Sequence, residues 1–95
     1  MDPISVLRKA VDQTGRIVAG VKPDQLTAPT PCADWDVRAL LNHTIGVVEM
    51  FDDAAQTKPF TGAMFENDNV GDDPGASYER RAKVLHATLA KPDVL

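Results

Sequence analysis

Aromatic residues and cysteine are both scarce in this 95-residue chain. Phe, Trp and Tyr together make up 5% of the sequence, whereas Ala, Val and Leu are frequent. A core of small aliphatic side chains is more typical of helices packed on helices than of a β-sandwich. The single cysteine, Cys32, cannot form an internal disulfide, which agrees with a reducing compartment.

An excess of basic charge is absent as well. The chain has 10 Lys plus Arg against 14 Asp plus Glu, which gives a formal net charge of -4. Such a chain repels phosphate backbones and anionic lipid surfaces. We therefore expect no nucleic-acid partner.

Long apolar runs are missing from the sequence. Polar residues interrupt every apolar stretch before the ~20 residues that a membrane-spanning helix needs. The start at Met1-Asp2-Pro3 lacks the basic and apolar regions of a signal peptide. We expect a cytoplasmic protein without a membrane partner.

No complete catalytic or metal-binding motif is found. Neither His43 nor His86 belongs to an HxxxH, HExxH or CxxC pattern. No nucleophile stands at a recognisable spacing from a base, and no glycine-rich phosphate loop occurs. Motifs alone therefore assign no reaction to the chain.

Start signals and apolar periodicity predict three helices. Asp2-Pro3 and Asp73-Pro74 each place a capping side chain before a proline at the first helical position, and Asp36 is the predicted N-cap of the helix between them. The predicted helices run from Pro3 to about Val21, from Val37 to about Ala55, and from Pro74 to a point before Pro92.

Two connections separate these helices. Residues 23–34 hold three prolines and predict an irregular segment. Residues 56–75 are polar and acidic, and at roughly 20 residues they exceed the usual connection in a compact domain. We expect this second connection to be a lid, a crossover or a partly helical segment.

The helices predict an all-α fold in which residues 1–95 form a single domain, an up-down helical bundle. The second helix has a broad apolar face. Its residues are Val37, Leu40, Leu41, Thr44, Ile45, Val47, Val48 and Phe51. Because two short partner helices do not readily cover so wide a face, we expect a fourth helix, supplied by another chain or lost from this one.

The two histidines lie beside apolar stripes. At 100° per residue, His43 lies next to Leu40, Val47 and Met50 at the edge of the apolar face of the second helix. Position alone favours a histidine packed at the core edge with one ring nitrogen hydrogen-bonded over a metal ligand. For His86, a solvated or lightly packed side chain is favoured over a functional one.

Cys32 and a group of acidic residues are weaker candidates. Cys32 precedes a helix N-terminus, which favours a thiolate, but we favour a small cysteine packed in its loop. Glu49, Asp52 and Asp53 lie towards the C-terminal end of the second helix, where negative charge is unfavourable unless a cation compensates. A solvated face is the favoured interpretation, and a metal site is the alternative.

The segment from Leu26 to Gly46 resembles one protein family. It contains Thr-Pro-Cys-x-x-Trp at positions 30–35 and Val-Arg-x-Leu-x-Asn-His at positions 37–43. Both patterns resemble the DinB-like family related to the metal-binding N-terminal domain of actinobacterial mycothiol-dependent maleylpyruvate isomerase. The first helix and the Asp-Pro start of the third match in placement, so the resemblance spans nearly all 95 residues.

The resemblance implies a DinB-like four-helix bundle with a buried divalent metal ion, usually zinc. It implies that His43 is one metal ligand and that two more come from a later helix, commonly spaced i, i+4. That helix would lie beyond Leu95, so we expect a domain truncated before its last helix. One protein ligand does not complete a zinc site.

The resemblance also implies a type of chemistry. Enzymes of this group use the metal to activate a small thiol, such as mycothiol, for isomerase or transferase reactions on a small-molecule substrate. Since the other ligands are missing, we expect this chain alone to be inactive.

Three functional hypotheses follow. The first is a fragment or shortened member of a family whose complete form binds a divalent metal in a thiol-dependent enzyme. The second is non-enzymatic, with the uncovered apolar face forming a homodimer or docking on a partner. The third is an isolated half-bundle of marginal stability with no activity of its own.

Overall fold

The structure, a computed structural model, describes residues 2–32 and 34–91. Three helices form the fold: α1 (Pro3–Ala19), α2 (Val37–Ala55) and α3 (Pro74–Leu89). Short 3-10 turns lie in the connections, at Pro23–Gln25 and Ala63–Phe65. No β-strand occurs in the described ranges, and the all-α prediction is confirmed.

Each helix begins at the aspartate predicted to cap it. The carboxylates of Asp2, Asp36 and Asp73 accept a hydrogen bond from a backbone N–H of the first turn, at 3.2, 2.9 and 3.1 Å. These bonds satisfy donors that would otherwise lack a partner within the helix. The start signals in the sequence are therefore correct at all three positions.

Helix α1 ends at Ala19, two residues before the predicted end at about Val21. The N–H groups of Gly20 and Val21 donate to the carbonyls of Ile17 and Val18, at 3.1 and 3.0 Å. Each bond spans three residues, so the chain tightens into a 3-10 geometry at this point.

The other two helices agree with the predicted bounds. Helix α2 runs over Val37–Ala55 as expected, and α3 ends at Leu89. Pro92, the predicted limit of the third helix, lies outside the described residues.

The helices pack unequally. Helix α3 packs against both α1 and α2, whereas α1 and α2 have little direct contact with each other. Ile45 of α2 and Leu85 of α3 are fully buried in the core, and Val11 and Val18 of α1 join them. Because α1 and α2 pack little against each other, a gap lies between them.

The connection between α2 and α3 is packed onto the helices. Its 3-10 turn at Ala63–Phe65 lies against α2. Met64 is buried and Val70 is fully buried. Of the three interpretations of this connection, a partly helical segment agrees with the structure, although the helical part is one short turn.

A fourth helix is not found in residues 2–32 and 34–91, so the expected four-helix bundle is not confirmed. None of the helices in the described part of the chain is both long and apolar enough to cross a membrane.

Candidate functional site

An open groove lies between α1 and α2, where the two helices separate. Its cavity volume is about 280 Å³. The buried ring of Tyr78 on α3 lines it together with residues of the two flanking helices. The other lining residues are Leu7, Ala10, Val11, Thr14, His43, Thr44, Val47, Val48 and Phe51.

The groove carries no Asp, Glu, Lys or Arg among its lining residues. This is unusual for a chain in which a quarter of the residues are charged. Phe51 remains substantially exposed there, and Val6 and Ile17 of α1 are exposed as well. An uncharged, largely apolar groove of this kind is typical of a face that another segment or molecule covers.

His43 lies at this groove with its side chain exposed. Its imidazole stacks on Phe65, with ring centroids 4.9 Å apart and an interplanar angle of 23°. The indole of Trp35 lies on it at 5.2 Å with a tilt of 43°. Within the described ranges no hydrogen-bond partner is found for either ring nitrogen, so the bond expected of a core-edge histidine is not seen.

The segment before α2 places Trp35 beside His43. The hydroxyl of Thr30 donates a hydrogen bond to the Trp35 carbonyl at 2.7 Å. The N–H groups of Val37 and Arg38 donate to carbonyls of residues 28 and 26, at 3.0 and 2.8 Å. These bonds fold the proline-containing connection back onto the start of α2.

His43 is the one histidine, cysteine or acidic residue among those that line the groove. In residues 2–32 and 34–91, no group of three or more His, Cys, Asp and Glu residues is arranged to hold a metal ion. Zinc sites in proteins use three or four protein ligands. The sequence-based choice of His43 as a metal ligand is therefore not tested by these contacts.

His86 has a structural role. Its Nε2 lies 3.1 Å from Oδ1 of Asp12, which links α3 to α1. Its Nδ1 is buried with no partner among the described residues. The side chain is mostly buried and bonded to α1, so it is not solvated, and it does not line the groove that contains His43.

Cys32 is exposed, so the expectation of a cysteine packed in its loop is wrong. Its N–H donates to the hydroxyl of Thr30 at 3.1 Å. This hydroxyl also donates to the Trp35 carbonyl. The hydrogen bonds of this turn therefore involve backbone groups, and the thiol of Cys32 remains at the surface.

The acidic residues near the end of α2 are not a solvated face, and that prediction is wrong for Asp52. Asp52 is buried and accepts hydrogen bonds from the hydroxyl of Thr88 and, at 3.0 Å, from Nε2 of Gln56. Glu49 pairs with Arg81 at 3.1 Å. Arg81 and Thr88 of α3, and Gln56 at the end of α2, are therefore the partners of Glu49 and Asp52.

Tyr78 has a perturbed hydroxyl. It is buried, and its O–H donates to the carbonyl of Val11 at 3.1 Å. Burial raises the pKa of Tyr78 above its ordinary value of 10.0, the charge of Asp12 adds to the effect, and a side-chain hydrogen bond with Thr14 opposes it. The phenol is therefore a neutral donor over the physiological range.

Sequence reasoning missed the aromatic surroundings of His43. Phe65 is 22 residues away in the sequence, and Phe60 lies 6.4 Å from it in the same row of rings. The one available signal was Gly46 within α2, since a glycine in a helix interior often marks a close approach.

Comparison with known protein families gives a match that covers most of the chain. The profile of the family described as "Mycothiol maleylpyruvate isomerase N-terminal domain" matches residues 7–93. No solved structure matches the chain significantly.

Two similar proteins come from Mycobacterium tuberculosis. They are "Uncharacterized protein MT0763" of strain CDC 1551 / Oshkosh and "Uncharacterized protein Rv0738" of strain ATCC 25618 / H37Rv. Each is 30% identical over 92 residues, which is 97% of this chain and 47% of the relative. The chain thus spans about half the length of these curated relatives.

Proposed function

The chain belongs to the mycothiol maleylpyruvate isomerase N-terminal domain family, and from this membership we propose that it contributes one ligand, His43, to a divalent metal site. Zinc is the proposed metal, because it is commonly bound by neutral imidazole. The observation that carries the proposal is the exposed imidazole, which has no hydrogen-bond partner in the described residues and borders an uncharged groove.

The described residues do not complete this site. One imidazole is too few for a zinc ion, and the acidic residues of α2 have partners elsewhere. We propose that the remaining ligands come from a segment that covers the groove. For this reason no reaction step is assigned to the chain by itself.

The whole protein is proposed to be an isomerase or transferase that uses mycothiol or a similar small thiol with a small-molecule substrate. A bound divalent ion favours the thiolate form of such a thiol. The part played by this chain is to present His43 from a rigid helix and to line one side of the site with apolar residues that exclude water.

Metal content tests the ligand role. The purified chain is dialysed against zinc, and the bound metal is measured for the wild type, for His43→Ala and for the matched control His86→Ala. Because one imidazole is too few to hold zinc firmly, we expect only weak zinc binding by the wild type. This binding should be lost in His43→Ala and retained in His86→Ala, since Nε2 of His86 is already held by Asp12. Equal and negligible zinc in the wild type and in His43→Ala would remove the metal role from this polypeptide.

A second candidate function is supported by the uncharged groove. A second copy of the chain covers the groove, and the result is a non-enzymatic dimer. Helices of 17 and 19 residues are roughly 25–28 Å long, which is long enough for a helix of a second copy to lie along the groove. The absence of Asp, Glu, Lys and Arg from its lining removes like-charge repulsion at the contact between two chains of net charge -4.

Light scattering tests the dimer. We expect the wild type to be dimeric and Val47→Asp, which places a charge in the groove, to be monomeric. Val84→Asp is the matched control, because Val84 is exposed on α3 and does not line the groove. A well-folded wild-type monomer at high concentration would exclude this function.

A further inference from the structure

The orientation of the His43 ring depends on a neighbouring segment. The 3-10 turn at Ala63–Phe65 brings Phe65 into nearly parallel stacking with the imidazole. An exposed histidine on a helix ordinarily samples several rotamers. A flat aromatic surface against one ring face restricts that freedom.

Gly46 makes room for Phe65. A Cβ placed on Gly46 would lie 2.9 Å from Cδ1 and 3.0 Å from Cε1 of the Phe65 ring, which is closer than packed carbon atoms approach each other. Gly46 follows His43 by three residues, so the two positions are neighbours on the surface of α2. The missing side chain therefore creates a notch beside His43, and the Phe65 ring occupies it.

Hydrogen bonds fix the segment that carries Phe65. The N–H of Asn69 donates to Oδ1 of Asn42 at 2.5 Å, and its side-chain Nδ2 donates to the Asn42 carbonyl at 3.1 Å. The same Nδ2 donates to the carbonyl of Met64 at 2.7 Å. One asparagine thus ties the residue before Phe65 to the residue before His43.

We propose that Phe65 is a positioning residue that sets the orientation of the His43 imidazole, with Gly46 providing its seat and Asn42–Asn69 holding it there. The positioning itself stands on ring geometry and hydrogen bonds. The functional purpose of this positioning is to present a ring nitrogen of His43 to a ligand in the groove, and this purpose rests on the proposed metal role of His43. An imidazole held in place before a ligand arrives does not lose as much rotamer freedom on binding.

The proton NMR shifts of the His43 ring test this positioning. Stacking on Phe65 displaces these signals upfield. We expect the displacement to shrink in Phe65→Leu to the part caused by Trp35, whose ring lies 5.2 Å from the imidazole, and to be kept in Phe65→Tyr, which retains a ring. Phe60→Leu is the matched control, since Phe60 is exposed and its ring lies against Phe65. A displacement that is unchanged in Phe65→Leu, or lost equally in Phe60→Leu, would overturn the proposal.

Gly46→Ala provides a second variant in case Phe65→Leu does not fold. The added methyl group displaces the Phe65 ring from its notch while alanine favours the helix. We expect the part of the upfield displacement caused by Phe65 to disappear while the helix content by circular dichroism is retained. Unchanged His43 signals in a folded Gly46→Ala protein would contradict the proposal.

The outcome is separable from that of the metal experiment, because the NMR measurement is made without metal. If the shifts behave as expected and no zinc binds, the positioning stands and the metal role fails. If zinc binding depends on His43 but the shifts do not depend on Phe65, the metal role stands and the positioning fails.

Discussion

The two sides of α2 differ in how many of their apolar and polar groups have partners within the chain. Towards α3, Ile45 packs against a closed core and Asp52 has its hydrogen bonds to Thr88 and Gln56. Towards α1, the helix opens onto a groove whose lining includes no Asp, Glu, Lys or Arg and whose polar side chains are those of His43, Tyr78 and two threonines.

This difference has a physical meaning. A buried polar group is tolerated where its partner is present in the same fold, because an unpaired one costs about 1–3 kcal/mol. The α2–α3 seam contains such pairs, so it is complete within the described chain. The groove offers apolar surface and an imidazole without a partner, which is the composition of a surface that receives something else.

The largest effect is expected in the closed core. Leu85→Ala removes a fully buried side chain of α3, and the free energy of unfolding should fall by about 2–5 kcal/mol. Val84→Ala is the matched control, because Val84 is its neighbour and is 52% exposed; there the change should stay within about 0.5 kcal/mol. Urea unfolding followed by circular dichroism measures both, and similar losses would show that α3 does not form the core as described.

The next effect concerns the polar pair of the α2–α3 seam. Asp52→Ala leaves the buried hydroxyl of Thr88 without its acceptor, so the free energy of unfolding should fall by about 1–3 kcal/mol. Asp53→Ala removes only a 4.0 Å pair with Lys58 at the surface, and about 0–1 kcal/mol is expected.

A double variant checks the partnership directly. Adding Thr88→Val to Asp52→Ala removes the orphaned hydroxyl, so the double variant should be more stable than the sum of the two single changes predicts. Strict additivity would show that Asp52 and Thr88 do not interact.

Local signals in the sequence predicted where the helices begin and on which face of α2 His43 lies. Asp2, Asp36 and Asp73 mark the helix starts because capping depends on residues only two or three positions away. The same reasoning placed His43 at the edge of the apolar face of α2, where the structure shows it bordering the groove.

Contacts between distant residues were beyond that reasoning. Asp52 was interpreted as solvated because its partner Thr88 lies 36 residues away on another helix. The stacking of Phe65 on His43 likewise depends on how an irregular connection folds back over α2. Apolar periodicity describes the faces of a helix and contains no information about such partners.

A smaller effect is expected at Tyr78, which lies where the groove meets the core. Tyr78→Phe removes the O–H donated to the Val11 carbonyl, and about 0.5–1.5 kcal/mol should be lost at neutral pH. Because burial raises the pKa of Tyr78 above 10.0, the unfolded chain loses this proton first as the pH rises. The associated stability is present below pH 10 and is lost as the pH rises through the folded-state pKa.

Absorbance measures that titration directly, since Tyr78 is the only tyrosine in the sequence. Tyrosinate should appear at higher pH in the folded protein than in urea, and the decline of stability at alkaline pH should be shallower in Tyr78→Phe. If the pKa of Tyr78 in the folded protein were equal to or below its pKa in the unfolded chain, the phenol would be exposed to water and the groove would reach further into the core.

The smallest effect is expected on the open side of α1. Ile17 is 68% exposed, so Ile17→Ser should change the free energy of unfolding by no more than about 0.5 kcal/mol when the protein is monomeric by light scattering. Its neighbour Val18 is buried, and Val18→Ser should therefore cost distinctly more. If Ile17→Ser costs as much as Val18→Ser under monomeric conditions, the outer side of α1 is already covered within the chain, and the contrast between a closed seam and an open groove fails.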